Sequence, residues 1–312
     1  MKAPESESPL KNIMSTVNIS SWALLDLQKT PPNNFPERWV NENKYGAMEW
    51  FAKNAGKRRH PMEIEPDYPA ALVIADNYYS AAAHKNSLQN KIAIYAQGRD
   101  YHKIIRTKLK FILRELQKNT PEIKGRIFVD TGALSEKYLA VCSGLGWYGK
   151  NTLLITPDYG SYVVIGILLL SKPADKWTDK NPLNPFKNRC NNCRICLDCC
   201  PTGALYEPYR LDAGKCLSRL TIEDNAKATT ELPEKTVFGC DICQTCCPFN
   251  KIPRETTEPD YLPRIAAEPD KIPLDSEKNF LEYFTGSPVR RTGWQKFKDN
   301  MQKCHQNTKN NH

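Results

Sequence analysis

No stretch of this 312-residue chain approaches the roughly 20 consecutive apolar residues that a membrane-crossing helix needs. The longest candidate, Tyr162 to Leu170, has the length of a buried strand. The N-terminus, Met1-Lys2-Ala3-Pro4-Glu5-Ser6, lacks the basic-then-apolar order of a secretory leader, and it carries no twin-arginine export signal. A cytoplasmic protein is therefore expected. No long tandem repeat is visible. The 12 cysteines are not scattered as a disulfide scaffold would have them, since ten of them fall between 190 and 247. Away from an oxidising compartment, such crowding points to metal or redox chemistry. A strong charge bias is also missing. The net charge of +9, from 44 basic and 35 acidic residues, is compatible with a nucleic-acid partner without establishing one.

What the chain does have is apolar content for a core, at 40%, and a length suited to one large domain with a smaller one attached. Residues 1–20 are polar and aperiodic, and a loose start is expected there. A helical pattern runs from Pro36-Glu37-Arg38-Trp39 to Trp50-Phe51-Ala52. Ala70–Ala75, bounded by Pro69 and Asp76-Asn77, reads as a buried strand. Asp100 is placed to cap a helix on which Ile104, Ile105, Leu109, Ile112, Leu113 and Leu116 recur at helical spacing. Arg126 to Val129 reads as a strand ending at Asp130, with a helix through Leu134 and Leu139 after it. A glycine-rich loop spans Gly144–Asn151. Strands at Thr152–Thr156 and Tyr162–Leu170 flank the turn Pro157-Asp158-Tyr159-Gly160. Strands alternating with helices indicate an α/β domain over about 21–180, within a mixed α/β or α+β chain. Lys172 to Lys187 has the composition of a linker. A cysteine module over about 181–255 and a C-terminal segment over 256–312 follow.

The first cysteine run, Cys190-Asn-Asn-Cys193-Arg-Ile-Cys196-Leu-Asp-Cys199-Cys200-Pro201, contains C-x2-C-x2-C-x3-C-P. That is the spacing of two-cluster ferredoxins, in which the fourth cysteine ligates the other 4Fe–4S cluster. Three thiolates on one tight loop grip three corners of a cubane, and the chain then leaves through Cys-Pro. The second run supplies Cys240, Cys243 and Cys247 before Pro248, and Cys216 lies between the runs to make up the number. The assignment is Cys190, Cys193, Cys196 and Cys247 for one cluster, and Cys200, Cys216, Cys240 and Cys243 for the other. Were Cys246 the ligand, the second run would read C-x2-C-x2-C, so Cys246 stays open beside Cys247. Structural zinc favours two separated C-x2-C pairs and fits two Cys-Pro endings poorly. Cys142 and Cys304 stand alone and read as ordinary small side chains. Two clusters form a wire, and the preceding domain is large enough to hold the redox centre that the wire feeds.

At this point the chain resembles the epoxyqueuosine reductases, cobalamin-dependent iron–sulfur oxidoreductases of queuosine biosynthesis in tRNA. The resemblance runs from about Glu37 to Arg291. It rests on Lys57-Arg58-Arg59-His60-Pro61, Gly98-Arg99-Asp100-Tyr101-His102, Val129-Asp130-Thr131-Gly132 and Gly144–Thr152. It continues through Gly160-Ser161-Tyr162, Cys200–Leu205, Cys216–Thr221 and Gly239-Cys240-Asp241. It implies reduction of epoxyqueuosine to queuosine at the wobble position. It also implies cobalamin on the α/β domain beside one cluster, electrons passing through the clusters, and Asp130 as the proton donor. The position of Asp130 agrees, because ligands gather at strand ends in open sheets, and an apolar cofactor surface would raise its pKa by desolvation. Within the resemblance, Arg58, Tyr95, Asp130, Lys150, Asn151 and Leu154 are expected cofactor contacts. His102 follows Asp100 as D-x-H, but Ile105 stands where the cobalt-ligating motif has glycine. No axial histidine is implied, and a capping or core role is expected for His102.

In the C-terminal segment Arg290, Arg291, Lys296, Lys298 and Lys303 interleave with Trp294 and Phe297. That pattern suits RNA phosphates and unstacked bases, although a solvated helix face has the same composition. The expected partners are tRNA carrying epoxyqueuosine and a low-potential electron donor, with the chain acting as a monomer. Two other readings compete. One is a cobalamin and iron–sulfur reductase of the reductive dehalogenase kind, and the other is a non-catalytic ferredoxin-like electron carrier. Cys199 and Cys246 stand at positions that are usually not cysteine in the resembled family.

Overall fold

The computed structural model of the protein describes residues 9–130, 132–176, 187–223 and 236–309. In chain order the sheet domain comprises helix α1 (Pro9–Thr16), strand β1 (Ser21–Asp26), helices α2 (Phe35–Asn41) and α3 (Glu49–Ala52), strand β2 (Ala70–Asn77) and helices α4 (Ala81–Asn90) and α5 (Tyr101–Asn119). It continues with strand β3 (Gly125–Phe128), helix α6 (Glu136–Cys142) and strands β4 (Trp147–Tyr148), β5 (Leu154–Ile155) and β6 (Val163–Leu170). The cysteine module adds the short helices α7 (Ile195–Asp198), α8 (Leu217–Ile222) and α9 (Ile242–Thr245), and the C-terminal segment adds α10 (Glu277–Tyr283) and α11 (Trp294–Lys309).

The main sheet has the order β1-β2-β6-β3, and each of its pairings is antiparallel. The alternation of strands and helices therefore does not produce the parallel sheet of a doubly wound fold. Strand β2 is buried at every position. Its side chains alternate between faces, as a pleated strand dictates. Ala70, Leu72 and Ile74 pack under α5 and α1, whereas Ala71, Val73 and Ala75 pack under α6. The result is helix, sheet and helix in three layers. Gly166 of β6 lets α5 close in, because a Cβ there would collide with Ile105.

The helical pattern at 36–52 breaks into α2 and α3, with Asn43 and Gly46 at positive φ between them. The break lets Trp39 Nε1 donate to the carbonyl of Leu211 (2.7 Å) and Lys44 pair with Asp212 (2.9 Å), joining this segment to the cysteine module. The loose start expected over 1–20 is not found at 9–16, where Leu10, Ile13 and Met14 form the apolar stripe of α1 against α5. Residues 1–8 lie outside the described residues, as does most of the expected linker, 177–186.

The C-terminal segment builds a core of its own. Phe280, Phe284, Val289, Phe297 and Met301 bury together with Ile92, Val237 and Phe238. Phe297 is fully buried, so it is a core residue and cannot stack on an RNA base. Trp294 lies against Phe280, with Lys298 over its ring. Among the described residues, no helix is long and apolar enough to cross a membrane.

Candidate functional site

The cysteine runs fold as two similar loops, each leading into a one-turn helix, and α7 packs on α9. Cys190, Cys193, Cys196 and Cys247 line one small cavity. Cys200, Cys216, Cys240 and Cys243 stand in the wall of a second, far larger cavity of about 1270 Å³. Burial pushes the Cys196 thiol up to about 11, helped by its neighbours Cys247, Cys190 and Cys193. Burial pushes Cys240 up to about 12, with Cys216 and Cys200 adding to the shift. Burial would raise Cys200 too, but the N–H groups of Leu205, Thr202 and Ala204 and the Thr202 hydroxyl outweigh it and hold that thiol down. Among the described residues, no three His, Cys, Asp or Glu side chains are drawn together as a single ion requires. The thiols instead stand around voids, which suits a four-iron cube better than one zinc ion.

The large cavity opens between the sheet domain, the cysteine module and the C-terminal segment. Asp130 lies just past β3 in the left-handed region (φ 58°), a conformation that Asp tolerates better than most residues. Its backbone N–H donates to Glu136 Oε1 (2.6 Å). Its Oδ2 faces His102 Nε2 (3.4 Å) and Arg291 (3.6 Å). His102 Nδ1 pairs in turn with Asp100 Oδ1 (2.6 Å), and Arg291 with Glu223 (2.5 Å). Charges thus alternate along Asp100, His102, Asp130, Arg291 and Glu223. The Asp130 side chain is 48% exposed, and what it is exposed to is the cavity.

This network reverses the pKa expected for Asp130. Burial does raise it, but the hydrogen bond and charge of His102, the charge of Arg291 and a hydrogen bond with Tyr101 outweigh burial and hold the carboxyl below its ordinary range. Burial lowers His102, yet Asp100 and Asp130 together push it up to about 9. The proton at neutral pH therefore sits on His102. Burial and the Asp130 charge push Glu136 up to about 8, so a protonated carboxyl adjoins the ionised Asp130. Burial keeps Tyr95 and Tyr101 protonated, so both remain hydrogen-bond donors.

The expected cofactor contacts divide. Arg58, Tyr95, Asp130 and Asn151 line the large cavity. Arg58 is 8% exposed, donates to the carbonyl of Leu134 (3.0 Å) and lies over the ring of Phe51 (4.7 Å). Asn151 reaches both cavities and donates to the carbonyl of Cys243 (3.2 Å). Lys150 does not face the large cavity. Its ammonium donates to the carbonyls of Asn191 and Cys193 (2.8 Å), bracing the first cysteine loop. The Leu154 side chain is 2% exposed and packs into the core under the sheet, because β5 turns it inward, and the neighbouring Thr152 and Leu153 reach the cavity instead. Sequence reasoning gave His102 no role at the site, although its spacing from Asp100 was the available signal. Glu136 and Lys137 were missed as well, while Asp241 entered only within the motif Gly239-Cys240-Asp241 and Arg291 only as a basic residue suited to RNA phosphates. Burial pushes Asp241 up to about 6 between Cys240 and Cys243, and it accepts the N–H of Ile94 (2.7 Å).

A double-cluster cysteine module set against a cavity that holds a histidine–carboxylate network defines an iron–sulfur oxidoreductase. A family model described as "Epoxyqueuosine reductase QueG, DUF1730" matches residues 58–131, and one described as "4Fe-4S double cluster binding domain" matches residues 189–250. The chain is 36% identical to the epoxyqueuosine reductase of Pseudomonas aeruginosa over 278 residues, 85% of this chain and 75% of that one. It is also 36% identical to that of Escherichia coli K12 over 280 residues, 86% and 72% of the two chains. Among solved structures, an epoxyqueuosine reductase with an epoxyqueuosine-modified tRNA stem loop aligns over 95% of this chain and 79% of that one, with a TM-score of 0.79 and 25% identity. The chain belongs to the epoxyqueuosine reductase family.

Proposed function

We propose that the chain reduces epoxyqueuosine to queuosine at the wobble position of tRNA anticodons, with cobalamin in the large cavity and a 4Fe–4S cluster on each cysteine quartet. One observation carries this reading: a single chamber has both Asp130 and the thiols of Cys200, Cys216, Cys240 and Cys243 in its walls. A source of electrons and a source of protons thus face one reacting centre. The chamber, at about 1270 Å³, exceeds the roughly 300–1,000 Å³ of ordinary small-molecule sites and suits a large cofactor with a nucleoside beside it. Arg58 Nε is buried in its wall with no hydrogen-bond partner among the described residues, a polar atom left for a ligand. Arg58, Tyr95 and Asn151 would hold the cofactor.

Bound cobalamin would supply a cobalt centre reducible to a nucleophile that attacks carbon, and the clusters would supply its electrons singly. Converting the epoxide to the alkene consumes two electrons and two protons and releases the oxygen as water. His102 stores a proton between two carboxylates. Asp130 takes it through Oδ2 and presents it to the departing oxygen, while Glu136 fixes the Asp130 backbone in position. Arg38, Lys103, Arg290 and Arg291 line the chamber and give it the basic edge that tRNA phosphates require. The wobble base must leave its stack to enter. A low-potential donor would load the quartet of Cys190, Cys193, Cys196 and Cys247, which lies off the chamber. The expected cytoplasmic setting and monomeric state suit a tRNA substrate.

The test is anaerobic reconstitution with iron, sulfide and cobalamin, followed by incubation with a chemical reductant and epoxyqueuosine-containing tRNA. Queuosine should accumulate, and omitting cobalamin should abolish it. A protein with full iron and bound corrinoid that leaves the epoxide intact would contradict the reading.

A further inference from the structure

Two cysteines of the module belong to neither quartet. The runs share one pattern, Cys193-x2-Cys196-x2-Cys199-Cys200-Pro201 and Cys240-x2-Cys243-x2-Cys246-Cys247-Pro248, so Cys199 and Cys246 occupy equivalent places in the two halves. Each is the C-terminal cap of a one-turn helix, and each N–H closes that turn, Cys199 on the carbonyl of Ile195 (2.8 Å) and Cys246 on that of Ile242 (3.1 Å). The helices α7 and α9 pack together. The Cys246 Sγ reaches across to the same Ile195 carbonyl (3.8 Å) that holds the Cys199 backbone, and the two thiols interact directly. Both residues are partly exposed. Equivalent side chains of a duplicated unit thus meet where its copies join, within reach of solvent.

We propose that Cys199 and Cys246 are a dithiol that closes reversibly into a disulfide bridging the two halves of the cluster module. The inference rests on assigning the eight other module cysteines to the clusters. The oxidant is a low-molecular-weight disulfide. The thiolate of one cysteine attacks it, forming a mixed disulfide and expelling one small thiol. The second cysteine then attacks the protein sulfur, forms the Cys199–Cys246 bond and expels the second small thiol. The protein loses two electrons and two protons, and the small disulfide gains them. A bridge here would clamp α7 to α9, and with them a crossing ligand of each cluster, since Cys200 and Cys247 are the next residues.

The test uses the anaerobically reconstituted holoprotein, equilibrated with either reduced or oxidised glutathione. Visible cluster absorbance is read first, and the samples are then acid-quenched, alkylated and mapped by mass spectrometry. In oxidised glutathione, Cys199 and Cys246 should leave the alkylated pool and appear in one cross-linked peptide, with cluster absorbance unchanged. Cys199→Ser should leave Cys246 as a glutathione adduct. Alkylation of both residues after oxidised glutathione, at full cluster absorbance, would overturn the proposal. The iron content of Cys246→Ser separates this from a fault in the ligand assignment. Full iron keeps that assignment whichever way the cross-link falls, whereas loss of about half the iron makes Cys246 a cluster ligand and defeats both.

Discussion

At the scale of single residues, the chemistry turns on where one proton sits. The strand end, the carboxylate at 130 and the D-x-H at 100–102 were all legible in the chain. Their joint effect was not, because it depends on His102 Nε2 lying 3.4 Å from a residue on another element. An isolated carboxyl against an apolar surface would be raised, as expected from sequence, whereas this one is paired and falls. The His102 pKa rises from 6.5 to about 9 on folding. The charged histidine's contribution to stability is therefore complete below pH 6.5 and disappears as pH climbs through about 9. Turnover should decline along the same alkaline limb. A pH–rate profile of His102→Gln should lose that limb, with turnover lower by about 10²- to 10⁴-fold if the histidine supplies the proton.

At the scale of elements, buried charge and aromatic packing set the stability. Asp76, at the end of β2, is 2% exposed and binds Lys108 of α5 (2.7 Å) and the Tyr261 hydroxyl (3.1 Å). Lys108 also pairs with Glu258 (2.9 Å). Asp76→Ala leaves that lysine short of a partner and should cost about 3–5 kcal/mol in denaturant unfolding. Phe297→Ala should cost a similar ~3–5 kcal/mol by opening a cavity among Phe280, Phe284 and Trp294. The β2 and β6 strands and α5 were readable because their apolar periods are strong. The antiparallel pairing was not, since periodicity says which face is buried and nothing about strand direction. The burial of Phe297 was hidden for a similar reason: a basic helix with one apolar stripe looks the same whether the stripe meets RNA or its own core. The inward turn of Leu154 is not visible in the chain, because a two-residue strand carries no period.

At the scale of the whole molecule, three parts share the walls of one chamber, and each is expected to fail in its own way. Removing iron takes away the clusters that tie the two cysteine runs together, while the sheet core loses nothing. Hydrogen exchange after anaerobic chelation should therefore show protection lost over 187–223 and 236–250 and kept along β2 and β6. The basic edge acts through phosphates and should be sensitive to salt. Arg290→Glu is expected to weaken tRNA binding and lower the salt slope by about 1, without changing iron content. The family's cysteine spacing reads directly from sequence because ligands of one loop are fixed by local geometry. The chamber does not, because Asp130, Arg58, Cys240 and Arg291 come from four separate segments.

The most direct test of the proton path is single-turnover reduction of epoxyqueuosine-containing tRNA by wild type and Asp130→Asn, matched for iron and cobalamin and read by nucleoside mass spectrometry. Queuosine is expected from the wild type, with the variant slowed by about 10²- to 10⁴-fold and tRNA binding retained. Equal rates from the two proteins would contradict the proton path.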